Sequence, residues 1–69
     1  MTIGERMFKY RAEHNISQAK LALLLNEPFA TIVRCEGGKH KPHKANALRL
    51  EIKMNGLEKS ESDAKYDKT

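Results

Sequence analysis

Apolar side chains recur along this chain at spacings of three and four, with polar residues between them, the period of half-buried helices. Ile3, Met7 and Tyr10 form the first stripe, interrupted by Glu5, Arg6, Lys9 and Glu13. Thr2 stands where an N-cap belongs, and Glu5, three residues on, completes a capping box, so a first helix is expected from about residue 3 to 13. His14-Asn15 breaks the pattern, with His14 placed to meet the carbonyls of that helix's last turn. Ser17 then offers a capping hydroxyl to a short second helix through Gln18, Leu21, Ala22 and Leu25. Asn26 tolerates a left-handed backbone and can close that helix with a sharp turn.

Pro28 suits the first turn of a third helix, in which Ile32 and Cys35 point inward and which Gly37-Gly38 ends. After a loop from Gly37 to Pro42, residues 43–54 are free of Gly and Pro and predict a fourth helix. That helix has two apolar stripes, Ala47, Leu50 and Met54 on one face and Ala45, Leu48 and Ile52 on another. Beyond Asn55-Gly56 apolar residues are too sparse to repay the entropy of ordering the chain. The expected organisation is an all-α domain over residues 1–57 and a polar flexible tail over 58–69, with no alternating pattern that would predict a strand.

Sixty-nine residues suffice for one small domain. A chain of this size buries only about 60% of the surface its unfolded form exposes. The lone Cys35 excludes an internal disulfide, and no apolar run is long enough for a signal peptide or a membrane span, so a reducing, cytoplasmic setting is expected. The net charge is +4, unevenly placed. Lys59, Lys65 and Lys68 meet Glu58, Glu61, Asp63 and Asp67 in the tail, which leaves the body basic and suited to a polyanionic partner.

Two short helices joined by a turn of about four residues make a unit able to place its second helix in the DNA major groove. Ala22 is small where helix three would cross it, and Leu21, Leu25, Ile32 and Cys35 are spaced to seal the angle between the two. The run Ile16-Ser17-Gln18-x-x-Leu21-Ala22-x-x-Leu25-Asn26, followed by Thr31-Ile32-x-Arg34-x-Glu36-x-Gly38-Lys39-x-x-Pro42, resembles the Xre/Cro phage-repressor helix-turn-helix family. The likeness reaches back to Ile3-Gly4-Glu5-Arg6 and Arg11 and spans roughly residues 3 to 54. It implies a compact, lambda-repressor-like domain of four or five helices that binds operator DNA as a homodimer and regulates transcription. It further implies a phosphate contact from Gln18, base contacts from the residues opening helix three, and an ion pair between Arg11 and Glu36.

The chain also departs from that family. Glu27 and Pro28 stand in the turn, and Glu27 would repel nearby phosphates. The three outward positions that would read bases are Phe29, Ala30 and Val33, with Thr31 and Arg34 as polar neighbours. Apolar groups suit thymine methyls, whereas donor and acceptor readout of G or A needs side chains such as Arg, Lys, Asn or Gln. The basic loop Lys39-His40-Lys41-Pro42-His43-Lys44 follows helix three, and Lys39 and Lys41 are the expected backbone contacts. Phe8, Leu23 and Leu24 occupy positions that the family keeps polar and, with Leu48 and Ile52, form a candidate protein interface.

No nucleophile, base and orienting acid fall in a catalytic arrangement, so no enzyme, metal or cofactor is expected. Cys35, His40 and His43 lack a fourth zinc ligand. Two functions remain. One is a sequence-preferring, repressor-like DNA-binding regulator. The other is a protein-interaction module of the same fold, an antirepressor, accessory factor or antitoxin.

Overall fold

The computed structural model describes residues 1–38 and 43–66, with side chains described through Lys59. Four helices follow one another: α1 (Ile3–His14), α2 (Gln18–Leu25), α3 (Phe29–Gly37) and α4 (Lys44–Tyr66). The helix starts obey the capping chemistry of the sequence. The Glu5 backbone N–H donates to Thr2 Oγ1 at 3.1 Å, and the Thr2 N–H donates back to Glu5 Oε1 at 2.8 Å. The Lys20 N–H donates to Ser17 Oγ at 3.0 Å and starts α2. Asn15 and Asn26, both left-handed at φ 53° and 54°, close α1 and α2, and Gly38 at φ 71° closes α3. His14 Nδ1 lies 2.8 Å from the Tyr10 carbonyl oxygen, and its ring stacks on Tyr10. Pro28 sits one position earlier than expected, as the N-cap of α3 rather than inside its first turn.

One face of each helix supplies the core: Ile3, Met7 and Tyr10 from α1, Leu21, Ala22 and Leu25 from α2, Ile32 and Cys35 from α3, and Leu50 and Met54 from α4. These are the inward positions read from the apolar spacing. α3 packs on α1 and α2, and α4 packs on the same two helices. Among the described residues the α3 and α4 backbones do not pack against one another; α4 reaches the turn before α3 through Glu27, which Arg49 and Lys53 hold.

α4 corrects the sequence-based boundary. Expected to stop at Met54 and give way to a tail from 58, it runs through Gly56 to Tyr66. Leu57 packs against the core, and Glu58 and Asn55 both accept hydrogen bonds from Arg6 of α1. Anchored there, the helix propagates through a proline-free run whose Glu, Lys and Ala residues favour helix, because each further residue adds a hydrogen bond without a new nucleus.

Gly4 determines how closely α1 and α3 approach. A Cβ added at this position would overlap the Cys35 carbonyl oxygen and lie 2.8 Å from its carbon, both backbone atoms that no side-chain rotation can move aside. Gly56, by contrast, has open space around the position of a Cβ. Gly4→Ala should therefore destabilise the domain by about 2 kcal/mol or more, as overpacking does, whereas Gly56→Ala should stabilise it by roughly 0.5–1 kcal/mol by removing backbone freedom from the unfolded chain. Urea denaturation of the two variants checks both signs.

Candidate nucleic-acid interface

The surface formed by α2 and α3 begins at the α2 N-terminus. Ser17 satisfies only the Lys20 N–H there, so the N–H groups of Gln18 and Ala19 remain open. The Lys20 side chain is exposed beside them. The start of α3 has no side-chain cap, which leaves the Phe29 and Ala30 N–H groups open as well. From this end outward, Phe29 is 53% exposed and Val33 40% exposed, and Ala30 and Arg34 are exposed with them. Thr31 is half-buried at the edge. Phe29 and Val33, and likewise Ala30 and Arg34, lie four residues apart and therefore form neighbouring ridges on one helix face.

The C-terminal half of α3 is fastened from behind. Arg11 of α1 grips Glu36 with both ends of its guanidinium, Nε donating to Oε2 at 2.7 Å and a terminal N–H donating to Oε1 at 2.5 Å. A further Arg11 N–H donates to the Ile16 carbonyl at 3.3 Å. The Glu36 side chain is only 6% exposed, and the Phe8 ring lies 5.6 Å from the Arg11 guanidinium carbon. Hydrogen bonds of this charged kind contribute about 1.5–3 kcal/mol each where water is excluded. The hydrogen bonding to Glu36, with a smaller contribution from the charge of that carboxylate, raises the already high pKa of Arg11 against the opposing effect of burial. Gln18 joins this network, its Nε2 donating to Glu36 Oε1 at 3.3 Å. Of the residues singled out from the sequence, Gln18, Arg11 and Glu36 thus come together, and Phe29, Ala30, Val33 and Arg34 share one outward face.

Glu27 corrects a second expectation. Instead of facing outward from the turn, its carboxylate turns towards α4 and is 5% exposed. Arg49 donates to both of its oxygens, at 3.0 and 3.1 Å, and Lys53 Nζ donates to Oε2 at 2.5 Å. Burial alone would raise the Glu27 pKa, but the hydrogen bonds and charges of Lys53 and Arg49 outweigh it and hold the carboxyl below its ordinary value. Sequence reasoning missed this cluster, although two cations four residues apart beside the Leu50–Met54 face were its available signal. It also missed Lys20.

Phe8, Leu23, Leu24, Leu48 and Ile52 are all exposed, with Leu23 the most open of them at 77%. Leu48 and Ile52 lie on the side of α4 away from Leu50 and Met54. Lys39 and Lys41 lie outside the described residues. Cys35 is buried, and burial together with the charges of Glu27 and Glu36 pushes its thiol pKa up, which keeps the sulfur protonated and a poor nucleophile. Among the described residues no three His, Cys, Asp or Glu side chains are grouped to hold a metal ion, and no helix is long and apolar enough to cross a membrane. Comparison with protein-family models, curated proteins and solved structures finds no match for this chain.

Because its pKa is depressed in the folded state, Glu27 stabilises the fold above the ordinary glutamate pKa, and this contribution disappears as pH falls through the lower, folded value. Glu27→Gln should therefore be less stable than the wild type at neutral pH, with the gap closing below about pH 4. Chemical denaturation at a series of pH values measures that gap. A gap independent of pH would show that the carboxylate charge contributes nothing.

Proposed function

We propose that this chain is a DNA-binding transcriptional regulator of repressor type, in which α2 and α3 act as a helix-turn-helix and α3 lies in the major groove of double-stranded DNA. The observation that carries this reading is the separation of charge within residues 17–38. Glu27 and Glu36 are the acidic residues of this stretch, and both face inward onto cations from α4 and α1. Lys20 and Arg34 are its basic residues, and both are exposed. A stretch that is neutral by count thus presents only positive charge to a partner. The open N–H groups at the α2 start, together with Gln18, suit a phosphate, whose contacts would fix the register of α3 on the duplex. By sequence, Lys39 and Lys41 would add further backbone contacts. A regulator of this kind works in the cytoplasm of a bacterial or phage-infected cell.

The exposed Phe8, Leu23 and Leu24 favour a second reading, an antirepressor, accessory factor or antitoxin that holds a protein on the same fold. The outer face of α4, with Ala45, Leu48 and Ile52 exposed along it, supports pairing of two copies in either case.

Under the first reading, affinity for mixed-sequence duplex DNA falls steeply with salt. Lys20→Ala, Arg34→Ala, Lys39→Ala and Lys41→Ala should each weaken binding and reduce the log–log salt slope by about one. Negligible binding at low salt would favour the second reading. Light scattering should give twice the 7.9 kDa chain mass for the wild type. Leu48→Glu with Ile52→Glu should return the monomer, and a monomeric wild type at high concentration would exclude the pairing.

A further inference from the structure

The outward face of α3 carries no Asn, Gln or Lys, and its exposed side chains from the start of the helix are Phe29, Ala30, Val33 and Arg34. Resting on the reading that α3 enters the major groove, we propose that this helix recognises 5-methylpyrimidines, thymine above all, by apolar contact through Phe29, Ala30 and Val33, with Arg34 supplying the hydrogen bonds of that face.

The argument is one of matching surfaces. The major-groove edges of the base pairs present donors and acceptors except at the C5 methyl, which is their apolar group. Phe29 and Val33 gain most from leaving water against such a group. Set against guanine O6 and N7 or the cytosine amino group, the same side chains would strip water from polar atoms and return no hydrogen bond. The face therefore selects twice, by gain at a methyl and by penalty at a bare G·C edge. Exposed Lys20 and Arg34, with the inward-facing Glu27 and Glu36, leave this apolar strip in a cationic frame, which a polyanionic duplex complements and a neutral protein groove does not. Arg34 has no partner among the described residues and is free to bond a base edge or a phosphate.

The test measures affinity of the full chain, at a low and a higher salt concentration that are the same for each, for four duplexes of equal length: alternating A·T, the same duplex with uracil in place of thymine, G·C, and G·C with 5-methylcytosine. Uracil keeps the hydrogen-bonding pattern of thymine and lacks only the methyl. Each methyl contacted should count for roughly threefold to fivefold in affinity. The expected result is weaker binding to A·U than to A·T by that factor or more. It should be accompanied by a much smaller A·T to A·U ratio for Phe29→Ala with Val33→Ala, an exposed pair whose loss leaves the core intact, as circular dichroism would verify. Tighter binding to methylated than to plain G·C would mean that the methyl is read on either pyrimidine. A loss confined to A·U would assign it to thymine. Equal, salt-sensitive binding to A·T and A·U overturns the methyl proposal and leaves DNA binding standing. Absence of salt-sensitive binding to all four duplexes overturns both.

Discussion

The position of α3 depends on a backbone-to-backbone contact. Gly4 lets the first turn of α1 lie against the Cys35 carbonyl, closer than any side chain would permit. Immediately after it along α3, Glu36 is clamped by the two-pronged grip of Arg11, one residue type whose planar fork fits a carboxylate in this way. The C-terminal half of α3 is thus fixed to α1 at adjacent residues, by shape at Cys35 and by charge at Glu36. Its outward face is left with no structural task. A rigid helix with an unoccupied face meets the first requirement of a recognition element, since little conformational freedom is left to lose on binding.

The same economy governs charge. A small domain cannot leave a carboxylate half out of water without a partner, because the penalty of an unpaired buried charge rivals the total stability of the fold. Glu36 takes its partner from α1, and Glu27 takes two from α4. Arg11, Arg49 and Lys53 are therefore occupied inside the molecule, as is Arg6 by Glu58 and Asn55. Because acids are withdrawn along with these cations, the formal charge of the chain changes little in total. It understates what the α2–α3 surface offers, because the acids of that stretch are the ones withdrawn. Formal charge and presented charge diverge here by the direction in which two side chains point.

Legibility from sequence followed the same division between local and long-range causes. Caps and helix closures are decided within four residues, so Thr2-Glu5, Ser17, Asn26 and Gly38 were readable, and the apolar period located Met7, Leu21, Ile32, Leu50 and Met54 correctly. The length of α4 was not readable, because its continuation past Gly56 rests on Arg6 and on the core contact of Leu57, partners far away in the chain. Gly4 looked like one member of a motif, and its need to be glycine arises only from where Cys35 falls. Glu27 was the largest departure. An acid in a turn is solvated by default, and only the packing of α4 across that turn brings Arg49 and Lys53 within reach. On the α2–α3 surface the candidate residues came from the resemblance to the Xre/Cro family, whereas the electrostatic sign of the surface required the fold.

Exposed apolar side chains on a protein this small need not signify anything singly, since there is too little polar surface to cover it. Their arrangement is what distinguishes them. Phe29 and Val33 lie on a helix fixed along its inner side, and Leu48 and Ile52 line the outer side of α4, whose inner side is already filled by Leu50 and Met54. A duplex on α3 and a second copy on α4, as proposed, would each bury one face: exposed Lys20 and Arg34 stand around the first, and Arg49 and Lys53, partly compensated by Glu27, near the second. Under that proposal a polyanion is drawn to the face whose cations carry no internal partner, and the partial compensation by Glu27 lowers the repulsion that two like copies would meet across α4.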